Sequence, residues 1–127
     1  MKAVLIDTHA LAWGLYASRR LSNVARTTIG EAENVFVSPA SLYEMAQKVR
    51  LGKWPEMAPF LPNLIDELVE QGIEMVQLDA KICVLAGLMA WPHRDPFDRL
   101  LAATALSHAV PIVSADSIFD GIVSRIW

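Results

Sequence analysis

Cysteine, glycine and long apolar runs are all scarce in this sequence, and each scarcity excludes a class of protein. The 127 residues contain one cysteine, which excludes a disulfide scaffold and a cysteine-rich zinc site. The six glycines form no G-x-G-x-x-G or Walker A run, which argues against a nucleotide-binding domain. The longest apolar stretch, residues 82–91, is about half of a membrane span, so we expect no membrane partner.

Positive charge is also in short supply. Eleven Lys and Arg residues stand against fourteen Asp and Glu residues, for a net charge of −3. This balance argues against a protein that binds nucleic acid by its net charge. It does not exclude an enzyme that contacts phosphates through bound cations. The composition, 54% hydrophobic and 20% charged, excludes a disordered chain. We therefore expect one globular domain over residues 1–127, in a reducing, cytoplasmic compartment.

Short apolar runs alternate along the chain with stretches of helical periodicity. Strands are predicted at residues 2–6, 35–37, 73–78, 109–114 and 122–127. Helix starts are predicted after the capping residues Asp7, Ser22, Ser38, Asp79 and Asp95, and helix ends at Gly52 and Gly72. Residues 53–62, with three prolines, are predicted to form a loop, with Pro62 beginning the next helix. The alternation predicts an α/β domain with a mainly parallel sheet of four to five strands.

Four acidic residues occupy positions that differ from those of the other acids. Asp7 and Asp116 follow predicted strands, and Glu44 and Asp98 lie within two turns of a predicted helix start. In open α/β sheets, ligands bind beyond the carboxyl ends of the strands, where these helices also begin. The four carboxylates are therefore expected to converge at one end of the sheet.

Each of these acids also has an ordinary structural explanation. Asp7 and Asp116 are suitable helix caps, Glu44 is spaced for an ion pair with Lys48, and Asp98 follows Asp95 in a capping-box-like arrangement. Their joint placement is more telling, because clustered carboxylates repel unless a cation neutralises them. Mg²⁺ or Mn²⁺ suits an all-oxygen site, where it lowers the pKa of bound water and promotes phosphodiester hydrolysis.

Four stretches of the sequence resemble the signature motifs of PIN domains. They are residues 4–8 (VLIDT), 38–44 (SPASLYE) with Lys48, 93–105 (HRDPFDRLLAATA), and 112–116 (IVSAD) with Phe119. The spacing and the whole length are similar to the VapC-type toxins of bacterial and archaeal toxin–antitoxin pairs. The third motif is specific, whereas the first and fourth alone are weak. Ser114 stands where the family often has threonine.

The resemblance implies a three-layer α/β/α sandwich and a Mg²⁺- or Mn²⁺-dependent endoribonuclease, a hydrolase of RNA. It also implies a homodimer that is inhibited by a VapB-type antitoxin. Carried over residue by residue, the catalytic and metal-binding set is Asp7, Glu44, Asp98 and Asp116. Candidates for supporting these acids or contacting RNA are Thr8, Asp95, Arg94, Arg99 and Ser114. Asp95 is expected to act mainly as a helix cap, and no role follows for Asp120.

The remaining expectations concern histidine, tryptophan and surface contacts. His9 and His93 are predicted to be satisfied polar residues, because a metal-activated water needs no imidazole base. Trp54, beside a proline in the predicted loop, is the best candidate for an antitoxin contact. The apolar content favours a homodimer with a groove for an antitoxin segment, whose basic side chain would block the acidic site.

Three other functions remain open from the residues alone. An aspartate-based phosphatase could use Asp7 as nucleophile, but position 9 is His9 where such enzymes usually carry a second acid. A phospho-acceptor regulatory domain explains acids at strand ends but leaves Glu44 and the Asp95–Asp98 motif without a role. A non-catalytic binding module is the third alternative, and metal-dependent RNA cleavage would separate it from a nuclease.

Overall fold

A computed structural model describes residues 3–127; the first residue of the first predicted strand, Lys2, lies outside that range. The strands are β1 (Ala3–Ile6), β2 (Asn34–Val37), β3 (Glu74–Met75), β4 (Ile112–Val113) and β5 (Arg125–Ile126). The α-helices are α1 (Thr8–Leu15), α2 (Asn23–Glu31), α3 (Pro39–Arg50), α4 (Leu64–Glu70), α5 (Ala80–Leu88) and α6 (Pro96–His108). Within residues 3–127, none of these helices is long and apolar enough to cross a membrane.

The five strands form one sheet in the order β3-β2-β1-β4-β5, and all neighbouring strands are parallel. The predicted α/β class with a parallel sheet is therefore confirmed. Because the strands are parallel, their carboxyl ends all lie at the same edge of the sheet, which from here on is called the carboxyl edge. The chain runs outward from β1 to β3 and then returns to β4, so the order reverses between β1 and β4.

The side chains of the central strand β1 alternate between the two faces of the sheet. Helices cover both faces, so the domain has three layers with one hydrophobic core on each side of the sheet. Val4 and Ile6 of β1 are buried in one cluster with residues of α1, α2, α3 and α4. Leu5 points to the other face, where it packs with residues of α6 such as Leu101. Helix α5 packs outside this layer, with Ile82 against α6. Successive side chains in a strand point to opposite faces, so a fully apolar β1 fits a sheet covered on both sides.

The helix boundaries follow the predicted capping residues. The side chains of Ser22, Ser38, Asp79 and Asp95 each accept a hydrogen bond from a backbone N–H in the first turn of their helix. Helix α3 ends just before Gly52, whose φ of +73° is a left-handed conformation that glycine adopts without strain. Hydrogen bonds from these capping side chains thus mark where α2, α3, α5 and α6 begin.

Three boundary predictions are wrong in detail. The third, fourth and fifth strands each pair over two residues, shorter than the predicted runs. Residues 53–62 contain a 3₁₀-helix, Pro55–Phe60, which buries Met57 completely, so the segment is part of the core and not an open loop. Helix α4 begins at Leu64 and not at Pro62. Proline is compatible with the first turn of a 3₁₀-helix, and periodicity over so short a segment does not reveal it.

Candidate active site

The site lies at the carboxyl edge, where β1 and β4 are neighbours. Asp7 follows β1 directly, and its backbone N–H donates to the carbonyl of Val113 at the end of β4, at 3.1 Å. Helices α1 and α3 both begin at this edge, after β1 and β2. Ligands of open α/β sheets bind at such a reversal of strand order.

A cavity of about 140 Å³ at this edge is lined by all four predicted acids, Asp7, Glu44, Asp98 and Asp116. Thr8 and Asp95 also line it. The acids come from the end of β1, from α3, from α6 and from the turn after β4. The fold thus brings together carboxylates that are remote in sequence, and this cavity is called the acidic cavity below.

Asp7, like Glu44, is a buried carboxylate. Its side chain is held at both oxygens: Oδ1 accepts from the Ala10 backbone N–H at 2.8 Å, and Oδ2 accepts from Ser114 Oγ at 2.5 Å. Burial raises the pKa of Asp7 to about 6, against the opposing effect of the two hydrogen bonds, and the nearby charges of Asp98 and Glu44 add to the rise. Asp7 therefore caps α1 and also faces the acidic cavity, so a role as helix cap is compatible with a role as candidate metal ligand.

Two hydroxyl groups, of Ser114 and Thr8, make side-chain hydrogen bonds near the acidic cavity. Ser114 is fully buried, and its Oγ accepts from the Asp116 backbone N–H at 3.0 Å while donating to Asp7. Thr8 Oγ1 donates to Ser41 Oγ at 2.9 Å, which joins the start of α1 to α3. Ser114 thus joins Asp7 to the backbone of Asp116. Thr8 and Ser41, the second of which the sequence analysis did not identify, instead hold α1 and α3 together.

Asp98 is oriented by a histidine and not by the end of its helix. His93 Nε2 lies 2.7 Å from Asp98 Oδ2, while Asp95 Oδ1 accepts from the Phe97 N–H and so caps α6 as expected. Burial raises the pKa of Asp98, and the hydrogen bond to His93 opposes the rise. His93 is a satisfied polar residue, as predicted, but its partner is a candidate metal ligand.

The other two acids are also held by specific partners. Glu44 is buried, and its Oε2 lies 3.2 Å from Lys48 Nζ, which confirms the predicted pair one turn apart. Asp116 Oδ1 accepts from the Ile118 backbone N–H at 3.0 Å and so caps a short 3₁₀-helix, Ser117–Phe119. Each acid thus has an orienting partner and retains lone pairs for another ligand.

The donor set fits a hard divalent cation. Four carboxylates in one small cavity supply only oxygen ligands, and the raised pKa of Asp7 and of Asp98 reflects the cost of burying them without a counter-charge. Among the described residues, His93, Asp95 and Asp98 each offer a ligand atom within 4.8 Å of the others. That triad overlaps the acidic cavity at Asp95 and Asp98, although all three residues already use a ligand atom in the bonds described above.

Two residues that sequence reasoning placed at functional surfaces have structural roles instead. The Arg99 guanidinium donates to five backbone carbonyls between Ala86 and His93, so all five of its N–H groups are used and none is left for RNA. Trp54 is only 7% exposed and packs with the core, so little of its ring is available for the predicted antitoxin contact. Arg94, by contrast, lies within the third motif and is exposed.

Comparison with known proteins agrees with this fold. The family model described as "PIN domain" matches residues 4–123, which is nearly the whole chain. The chain is a member of the PIN domain family. The phosphatase and phospho-acceptor alternatives, which belong to other folds, are thereby set aside.

Relatives of this PIN domain include a curated protein and several solved structures. Ribonuclease VapC22 of Mycobacterium tuberculosis is 29% identical over 119 residues, covering 91% of this chain and 88% of that protein. The crystal structure of VapBC2 from Rickettsia felis bound to a promoter DNA fragment matches with a TM-score of 0.69 at 14% identity, covering 97% of this chain and 96% of that one. A toxin–antitoxin complex from Klebsiella pneumoniae matches with a TM-score of 0.66 at 16% identity, over 98% and 96% of the two chains. At these identities the structures establish the shared fold.

Proposed function

We propose that this PIN domain is a VapC-type toxin, an endoribonuclease that hydrolyses RNA with Mg²⁺ or Mn²⁺ bound to Asp7, Glu44, Asp98 and Asp116. The observation that carries the proposal is the acidic cavity, which all four carboxylates line at the reversal of strand order. The 29% identity to a ribonuclease across most of both chains supports the reaction class. When bound, the cation would supply Lewis-acid polarisation of the phosphodiester and activation of water.

The protein groups hold the site in position for this chemistry. Ser114 and the Ala10 N–H fix both oxygens of Asp7, so the carboxylate is already oriented before a cation arrives. His93 contacts one oxygen of Asp98, and Lys48 contacts one oxygen of Glu44. Such orienting contacts reduce the reorganisation that binding requires, and their loss is expected to weaken metal affinity.

We further propose that the partners are RNA, a second copy of the chain and a VapB-type antitoxin. The toxin–antitoxin complexes among the structural neighbours support the antitoxin. A stripe of exposed apolar residues on α5, formed by Val84, Leu85 and Leu88, supports the homodimer, because Leu88 is 79% exposed. An antitoxin that places an arginine at the acidic cavity would compete with the cation for the same carboxylates.

Cleavage of RNA by the purified chain tests the proposed activity. Wild-type protein is expected to cleave RNA in Mn²⁺ or Mg²⁺ and to stop in EDTA, and Asp116→Asn is expected to lose most of this activity. Asp120→Asn is the matched control, because Asp120 is an exposed acid that pairs with Arg125 at 2.7 Å and does not line the cavity. Equal loss in both variants would contradict the assignment of the site.

The non-catalytic alternative has a different outcome in the same experiment. A binding module would show no cleavage under any ionic condition, while its complex with an antitoxin would still form. Cleavage that persists in EDTA would instead point to a contaminating metal-independent ribonuclease, and it would be unchanged in Asp116→Asn. Metal-dependent cleavage that is lost only in the cavity variants supports the proposal.

A further inference from the structure

A second cavity, of about 530 Å³, adjoins the acidic cavity and shares His9 and Lys48 with it. Its volume lies within the roughly 300–1,000 Å³ that is usual for sites of small ligands. Its residues come from α1, the following turn, α3 and the 3₁₀-helix segment, and the sequence analysis did not predict that they line one cavity. It is called the aromatic cavity here, because four aromatic rings line it: His9, Trp13, Tyr16 and Trp54.

The rings form a braced stacking surface. Trp54 is buried and stacks on His9, with ring centroids 4.9 Å apart and an interplanar angle of 30°. Trp13 lies against His9 at 5.6 Å, and Trp54 Nε1 donates to Tyr16 Oη at 3.4 Å. His9 is itself exposed. The buried tryptophan therefore supports an accessible ring at the boundary between the two cavities.

The charge of the aromatic cavity is opposite to that of its neighbour. Arg20, Lys48 and Lys53 line it against one acid, Glu56, although the chain as a whole carries −3. Lys48 is paired with Glu44 and lies 5.4 Å from the Trp54 ring centroid. Arg20 and Lys53 are exposed, and their side chains are in none of the ion pairs of residues 3–127. Two cations are thus available to an anionic ligand.

Aromatic rings next to cations that are in no ion pair suit a nucleotide that is not base-paired. Every nucleobase has a face that stacks on an aromatic ring, and Lys and Arg contact the phosphate that follows or precedes it. A base that is paired in a duplex does not present that face, which favours single-stranded RNA. The shared wall at His9 and Lys48 places such a nucleotide next to whatever occupies the acidic cavity.

We propose that the aromatic cavity is a subsite for one unpaired RNA nucleotide adjacent to the scissile phosphate, with its base on His9 and its phosphate at Arg20 and Lys53. The inference rests on the proposed ribonuclease function and adds a substrate contact to it. Specificity for single-stranded RNA then resides in this cavity, while the acidic cavity supplies the chemistry.

Equilibrium binding of a short fluorescent oligouridylate in EDTA tests the subsite without cleavage. His9→Ala is expected to weaken binding about tenfold through lost stacking, and His9→Phe is expected to restore it because a ring is retained. The double variant Arg20→Ala/Lys53→Ala is expected to reduce the slope of log affinity against log salt by about 0.7, the value for one phosphate contact on a single strand. The matched control Arg50→Ala/Lys81→Ala removes the same charge from exposed residues outside both cavities.

The outcomes separate this inference from the proposed function. Failure of His9→Phe to restore binding would overturn the stacking contact, and a control variant that lowers the salt slope equally would overturn the phosphate contact. Cavity variants that keep RNA affinity but lose antitoxin affinity would assign the cavity to the antitoxin and refute the subsite. If the subsite binds RNA as described while wild-type protein cleaves none in Mn²⁺, the subsite stands and the nuclease assignment fails.

Discussion

The buried charge of Asp7 should destabilise the metal-free protein, and removing that charge should stabilise it. The pKa of Asp7 rises from its ordinary 3.8 to about 6, chiefly because burial disfavours the carboxylate. A shift of this size corresponds to roughly 3 kcal/mol between the two protonation states. The folded state binds the Asp7 proton more tightly than the unfolded state, so stability is fully present below pH 3.8 and is lost as pH rises through about 6.

The variant Asp7→Asn isolates this effect. Asparagine has nearly the same volume, and its oxygen can still accept from the Ala10 N–H. In EDTA, its free energy of unfolding should exceed that of the wild type by up to about 3 kcal/mol at pH 7–8, and the difference should vanish near pH 4. Addition of Mn²⁺ should reverse the order, because a cation that binds only the folded wild type stabilises it by RT ln(1 + [L]/Kd).

Urea unfolding followed by circular dichroism, in EDTA and in Mn²⁺ across this pH range, measures both effects. The matched control is Asp79→Asn, because Asp79 also caps a helix, with Oδ1 2.9 Å from the Ile82 backbone N, but does not line the acidic cavity. That variant should change stability little and should leave the response to Mn²⁺ intact. The reasoning is refuted if folded Asp7→Asn is no more stable than wild type at pH 7.5 in EDTA.

Three other predictions follow from the contacts at and around the site. His93→Ala removes the hydrogen bond that lowers the pKa of Asp98, so the acidic limb of the pH–activity profile should move to higher pH. Arg99→Ala leaves five carbonyls without their donor and should cost about 3 kcal/mol in urea unfolding, whereas exposed Arg94→Ala should cost under about 0.5 kcal/mol. Leu88→Glu on the exposed face of α5 should convert a homodimer to a monomer in sedimentation equilibrium, and a variant that stays dimeric would place the interface elsewhere.

The order of elements and the positions of the acids could be read from the sequence because their signals are local. A capping side chain bonds to a backbone N–H two or three residues ahead, as Ser38 and Asp95 do, so the motif and its partner appear together in the sequence. The apolar run of β1 likewise indicates a strand covered on both faces. With these elements in place, parallel strands bring their carboxyl ends to one edge, and the convergence of the four acids follows.

Contacts between remote residues were decided only by the tertiary structure. Ser114 bonds to Asp7 across 107 positions because β1 and β4 are neighbours, and strand order is not apparent from the order of strands along the chain. Trp54 looked like a surface residue because its proline-rich segment lacks periodicity, yet the 3₁₀-helix buries it. Arg99 looked available to RNA because its carbonyl partners carry no side-chain signal. Local hydrogen bonding and hydrophobic periodicity thus determined which elements form, whereas packing between elements determined which side chains remained free to act.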